Sequence, residues 1–102
     1  MLVMQVTKHS PENCPAYNPK YRAATVNWYE KVEPTAAKYG IKFMGSWDDH
    51  MAHKVFALYD TPSMDILMKF MMEPEMMAPM EFCRGRIFPV FDHKTTLAMI
   101  NK

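Results

Sequence analysis

The segment Ile41-Lys42-Phe43-Met44-Gly45-Ser46-Trp47, then Asp48-Asp49-His50-Met51-Ala52-His53, then Val55-Phe56-Ala57-Leu58-Tyr59 reads as two strands joined by a polar, hairpin-length connection. Alternation puts Ile41, Phe43, Gly45 and Trp47 on one face of the first strand. Val55, Ala57 and Tyr59 share one face of the second. Gly45 in mid-strand weakens pairing unless a bulge or close packing uses it. What flanks this hairpin on each side decides the fold.

Towards the N-terminus, Tyr21, Ala24, Thr25, Trp28 and Val32 follow helical spacing, so a helix is expected from Tyr21 to Val32. Pro34 fits poorly inside a helix and is expected to open a second short segment, Thr35 to Tyr39, with Gly40 as a left-handed stop. Residues 10–20, with prolines at 11, 15 and 19, read as loop. Residues 1–9 read as a strand. Leu2, Met4 and Val6 suit packing under helices; Val3, Gln5, Thr7 and His9 suit a face lining a cavity or a subunit interface.

Towards the C-terminus, Thr61-Pro62 reads as an N-cap followed by proline at the first helical position. Ile66, Leu67, Phe70 and Met71 form that helix's buried stripe, and Pro74 ends it. Residues 74–82 are expected to wrap the surface irregularly. A last strand spans about Arg86 to Phe91, with Pro89 marking an edge or a bulge. The tail from His93 forms a helical turn or two. The order β-α-β-β-α-β is the split βαβ, ferredoxin-like α+β arrangement: a four-stranded antiparallel sheet with both helices on one face. The whole chain, 1–102, fits one domain. The helix-free face, expected to carry Gln5, Thr7 and aromatics, calls for a second subunit's sheet as its cover. A homodimer through the sheet face follows as an expectation.

Hydrophobic residues make up 49% of the chain and charged ones 23%, with a formal charge of +1. Such a balance is that of an ordinary globular domain. The basic residues are scattered, which argues against nucleic acid. Met1-Leu2-Val3-Met4 is apolar, but Gln5 and Lys8 interrupt it far short of a membrane span. No signal peptide is read at the start, and Cys14 and Cys83 are read as free thiols in a reducing cytoplasm.

The chemistry-bearing stretch is His9-Ser10-Pro11-Glu12-Asn13-Cys14-Pro15, a proline-stiffened loop that holds an imidazole and a thiol a few residues apart. In a ferredoxin-like sheet the first strand lies between the third and fourth. His9, ending the first strand, then meets His53, opening the third. His9, Cys14 and His53 together suit Zn, Cu or Fe, with a fourth position left to water, Met or a second subunit. The bland alternative is a small apolar cysteine beside two surface histidines. A third reading makes Cys14 a reactive thiol activated by an imidazole. The methionines at 64, 68, 71 and 72 match helical spacing and read as core. Met76, Met77 and Met80 fall outside that helix and could cover a cavity mouth or a partner subunit. His50 and His93 read as solvated.

Gly45-Ser46-Trp47, Phe56-Ala57-Leu58-Tyr59-Asp60-Thr61 and Ile87-Phe88-Pro89-Val90-Phe91-Asp92 together resemble small uncharacterised proteins of the dimeric α+β barrel superfamily. The loop at 9–15 is similar to one in archaeal and bacterial relatives of unknown function, in which a histidine also opens the third strand. The resemblance implies a dimer that encloses a cavity between two sheets. The superfamily includes cofactor-free monooxygenases, haem-degrading enzymes, chlorite dismutase relatives and isomerases, so it selects no single chemistry. No helix carries a histidine of the kind haem-degrading relatives often use. Asn27, Trp28, Trp47 and Tyr59 are similar in type to the polar-aromatic pockets of the cofactor-free oxygenases.

The leading expectation is a small cytoplasmic metal- or ligand-binding protein with its site at His9, Cys14 and His53. The alternatives are a cofactor-independent oxygenase or isomerase acting on a small apolar substrate, and a structural or partner-binding dimer without chemistry.

Overall fold

The computed structural model describes residues 1–101. Four strands, β1 (Leu2–Lys8), β2 (Lys42–Asp49), β3 (Lys54–Asp60) and β4 (Arg84–Val90), form one antiparallel sheet in the order β2-β3-β1-β4. Helices α1 (Pro19–Lys38), α2 (Met64–Met71) and the short α3 (Pro74–Met77) contribute to one layer. Trp28, Val32 and Ala36 of α1, Leu67 and Phe70 of α2 and Met76 of α3 meet Val3, Ala57 and Tyr59 of the sheet in a single buried cluster. The architecture is ferredoxin-like, with β1 between β3 and β4 as expected.

Helix α1 differs from the expected pair of segments. It runs unbroken through Pro34. Proline removes one backbone hydrogen bond and crowds the preceding turn, but Val32, Thr35 and Ala36 on either side are buried and hold the helix in line. Its start is set by Asn18, whose Oδ1 accepts from the Lys20 N–H at 3.0 Å, with Pro19 in the first turn. Gly40, at φ +69°, makes the expected left-handed stop.

The cap of α2 is Ser63 rather than Thr61. Ser63 Oγ accepts from the Ile66 N–H at 3.1 Å. Thr61 is buried, and its hydroxyl donates to the Ser63 carbonyl at 2.9 Å. Leu67 and Phe70 are buried on the expected stripe, with Ile66 and Met71 packed beside them. Met64 also joins the core, whereas Met68 and Met72 face outwards, so four-residue spacing alone overstated the stripe. Residues 74–82 are not irregular: α3 leads directly into a 3-10 turn at Ala78–Glu81. That geometry turns Met76 into the core, leaves Met77 exposed and half-buries Met80.

The largest departure concerns the faces of the sheet. Paired residues share a face, and Val3 pairs with Tyr59 and Gln5 with Ala57. Tyr59 and Val3 are fully buried under the helices, so Val3, Gln5 and Thr7 face inwards and Leu2, Met4 and Val6 face away. Alternation defines two faces but does not say which one goes in. A bulge between Phe43 and Gly45 also splits the expected face of β2. Phe43 stays on the helix side with Tyr59, while Gly45 and Trp47 pair with Leu58 and Phe56 on the other. Gly45 sits at φ +142°, and a Cβ there would approach the Trp47 ring to 3.2 Å. The glycine therefore serves both the bulge and the indole lying across it.

Helix α4 (His93–Ile100) follows β4 and is exposed at every residue. Among the described residues no helix is long and apolar enough to cross a membrane. Phe70 is fully buried and Met72 is 64% exposed. Phe70→Ala should therefore cost about 3–5 kcal/mol in denaturant unfolding. Met72→Ala should stay within about 0.5 kcal/mol.

Candidate metal centre

His9 immediately follows β1 and continues its inward-facing series. Its N–H donates to the His53 carbonyl at 3.2 Å, extending the β1–β3 ladder by one bond. His53 adopts φ +54°, the left-handed region that is uncommon for a non-glycine residue, though histidine enters it more readily than most. It closes the hairpin there, and its ring lies 5.3 Å from that of His9, edge to face.

Cys14 is brought to the same place by a rigid loop. Pro11–Asn13 forms a 3-10 turn, and the Cys14 N–H donates to the Pro11 carbonyl at 3.3 Å. The Cys14 carbonyl then accepts from the N–H groups of Tyr17 and Asn18, at 2.9 and 2.7 Å. Arg22 of α1 ties the loop down by donating to the carbonyls of Pro15 and Ala16, at 3.1 and 3.2 Å. Asn18 Nδ2 donates to the Glu12 carbonyl at 3.1 Å. Little freedom remains for the thiol to wander.

The three ligand atoms, one each from His9, Cys14 and His53, all lie within 4.8 Å of one another. Donors around a tetrahedral zinc stand about 3.3–3.8 Å apart, given Zn–N and Zn–S lengths of about 2.0–2.3 Å. Side-chain adjustment of about an ångström closes the set. Cys14 is buried and the two histidines are half-buried. His9 Nε2 is sealed from solvent with no hydrogen-bond partner. A nitrogen left in that state costs about 1–3 kcal/mol unless something binds it. A metal ion is one such partner.

The trio lines a half-open cavity of about 570 Å³ between the inward face of the sheet, α1 and the turn after α3. Its size is that of a small-molecule site. Gln5, Thr7, Trp28, Tyr29, Met80 and Phe82 are among its walls. The resemblance implied a cavity between two sheets; this one lies inside a single protomer, on the helix side. Phe82 stacks on Tyr21 with ring centroids 4.3 Å apart and lies 6.4 Å from His9, forming a wall beside the imidazole. Tyr29 donates its hydroxyl to Asp48 Oδ1 at 2.8 Å. Burial and that carboxylate hold its pKa well above the ordinary phenol range.

His9, Cys14 and His53 are thus brought together as expected, and Met80 lies on the cavity wall. Asn27, Trp28, Trp47 and Tyr59 are not gathered into one pocket. Trp28 faces the cavity, Tyr59 is in the core, Asn27 is exposed on the outside of α1 and Trp47 is on the far side of the sheet. His50 and His93 are exposed as expected, although His50 stands at the cavity rim. Phe82, Cys83, Tyr29, Asp48 and the loop strap Arg22 were not anticipated. The available signal was the i+1 position of Tyr29 beside the striped Trp28, and the apolar Phe82-Cys83 pair directly before the last strand. Both cysteines are free thiols, and burial pushes Cys83 up to about 11.

No protein-family profile and no curated protein sequence matches the chain. Among solved structures the chain is similar to an uncharacterised NIPSNAP domain protein from Burkholderia xenovorans, with a TM-score of 0.52 and 10% sequence identity, over 91% of this chain and 97% of that one. At that identity the likeness shows the fold alone. It gives no support to the loop motif at 9–15.

The pKa of His9 is lowered, first by burial and then by the neighbouring charge of His53. Between its folded pKa and the unfolded value of about 6.5, the unfolded chain binds a proton that the folded chain does not. Stability therefore falls as pH drops through about 6.5, then levels off below the folded pKa. Thermal unfolding of metal-free protein should show its midpoint decline across this window, and His9→Asn should flatten the decline.

Proposed function

We propose that the protein is a small cytoplasmic metal-binding protein whose His9, Cys14 and His53 hold one transition-metal ion at the edge of a ligand cavity. The observation that carries this reading is the convergence of two imidazoles and a thiol within 4.8 Å, with His9 Nε2 buried and unpartnered. Two nitrogens and one sulfur suit zinc first, with copper and iron as the other candidates. Three protein ligands leave a fourth position, the arrangement of sites that bind or activate a small molecule. When bound, the ion would supply Lewis acidity to an oxygen or sulfur of a ligand in the cavity. The protein's own residues then do the rest: Trp28 and Phe82 exclude water, and Tyr29 and Asp48 offer a polar contact away from the metal. Two buried free thiols suit a reducing cytoplasm.

A second reading, a cofactor-independent oxygenase or isomerase, is supported by the cavity alone. It predicts full function without metal.

The protein purified without an affinity tag should carry about one equivalent of zinc, copper or iron per chain. Cys14→Ser should weaken zinc binding by more than the roughly 10–100-fold that loss of an outer-sphere partner costs. Cobalt substitution should give intense tetrahedral d–d bands together with a thiolate charge-transfer band that the variant lacks. Protein that takes up no metal after anaerobic reconstitution would leave the second reading standing.

The sheet face turned away from the helices carries Leu2, Met4, Val6, Phe56, Leu58 and Phe88 at its centre, with the Arg86 guanidinium 4.7 Å over the Phe88 ring and Lys8, Lys54 and Arg84 at one end. It is more apolar than the mixed Gln5 and Thr7 face expected from the sequence. We propose that a second copy of the chain covers it, sheet against sheet. Sedimentation equilibrium should return twice the chain mass, and Leu58→Arg should return the monomer with its far-UV spectrum intact.

A further inference from the structure

Helix α4 has no home on its own protomer. Every residue from Phe91 to Ile100 is exposed, with Phe91 at 63%, Leu97 at 60% and Ile100 at 76%. An isolated helix of fewer than about 12–15 residues is marginal in water, because nucleation is costly and few hydrogen bonds follow it. Yet α4 is well made. Asp92 Oδ1 accepts from the Thr95 N–H at 2.7 Å, and the Asn101 N–H closes on the Leu97 carbonyl at 2.8 Å. Leu97 and Ile100, three residues apart, lie on one side of it. The molecule measures 52 × 31 × 17 Å, far longer than it is thick, in keeping with a thin two-layer body and a projecting arm.

The same chain therefore carries an apolar arm without a groove and a sheet face whose apolar centre is half-buried, rimmed by Lys8, Lys54, Arg84 and Arg86. We infer that α4 is an exchange arm: in the homodimer, the α4 of each copy packs against the other copy and closes the open side of the stacked sheets. This inference rests on the sheet-to-sheet dimer proposed above.

Area supports the second copy as the occupant. Four strands about 4.8 Å apart and seven residues long, at about 3.3 Å each, span roughly 19 × 23 Å, or about 440 Å² in projection. Stable interfaces bury about 800 Å² of accessible surface per partner, so contact added to that of the sheet faces favours a lasting dimer. Two arms, each about 12 Å long, add contact at the margins where stacked sheets are open. Folded back on its own sheet, α4 would cover less than half of that face and would occupy the place of the second sheet. Two-fold symmetry makes the exchange reciprocal, so both arms are buried in one step.

Two measurements on the full chain test this. Isotope-filtered NOE spectra of a mixture of labelled and unlabelled protein should show contacts from the Leu97 and Ile100 methyl groups to the other copy. The double variant Leu97→Glu, Ile100→Glu should raise the dimer dissociation constant at least about tenfold, as loss of interface anchors does. Its far-UV spectrum should keep the sheet and α1, since both side chains are exposed within the protomer. A wild-type dimer whose arm contacts stay within one chain, or whose variant dissociates within about twofold of wild type, overturns the arm and leaves the sheet dimer intact. A wild-type monomer overturns both. Should the variant fail to fold, the NOE spectra of the wild type still decide.

Discussion

Tyr59 is completely buried, and its hydroxyl needs an acceptor; it donates to Gln5 Oε1 at 2.8 Å. Burial drives the pKa of that phenol far above its ordinary value, so the group remains a donor throughout the physiological range. An unsatisfied hydroxyl at this depth would cost about 1–3 kcal/mol. Pairing it with Gln5 draws the Val3-Gln5-Thr7 series of β1 to the helix side, and the pleat then carries His9 the same way. Leu2, Met4 and Val6 are sent outwards by the same alternation. One buried hydrogen bond thus accompanies two consequences of the fold: an imidazole at the cavity and a set of apolar side chains on the opposite face of the sheet.

The site depends on two further restraints of different kinds. His53 is held by the hairpin in a left-handed backbone conformation that is uncommon for a non-glycine residue. Cys14 is held by carbonyl and amide contacts around a proline-stiffened turn, with Arg22 strapping that turn to α1. The main core cluster gathers elsewhere, around Val3, Val32, Leu67 and Phe70. At the site itself Cys14, Phe82 and Cys83 are buried and Phe82 stacks on Tyr21, so local apolar packing helps to fix the trio in place.

Much of this was legible in the sequence where local signals and tertiary packing agree. The strand order, the His9–His53 meeting and the α1 stripe through Trp28 and Val32 follow from alternation, helical spacing and the ferredoxin-like topology. The sheet faces were inverted because Leu2, Met4 and Val6 look more core-like than Val3 and Gln5. The inward face is set by pairing with the buried Tyr59 and Ala57, more than fifty positions away, and is marked by the Tyr59–Gln5 hydrogen bond, which no window along the chain contains. Pro34 was expected to break α1, yet burial of Val32, Thr35 and Ala36 outweighs the lost bond. The bulge at Met44 shifted Trp47 across the sheet, and Gly45 was its only trace in the sequence. Phe82 and Arg22, which shape the site, carry no chemistry of their own and gave no signal as site residues.

The measurement that bears most directly on this account is X-ray absorption spectroscopy of the zinc-loaded protein. Binding by His9, Cys14 and His53 predicts one sulfur at about 2.3 Å and two imidazole nitrogens at about 2.0–2.1 Å from the zinc, completed by one light atom. A shell of oxygen and nitrogen alone, without sulfur or imidazole scattering, would mean that zinc binds elsewhere and that His9, Cys14 and His53 meet for reasons of packing only.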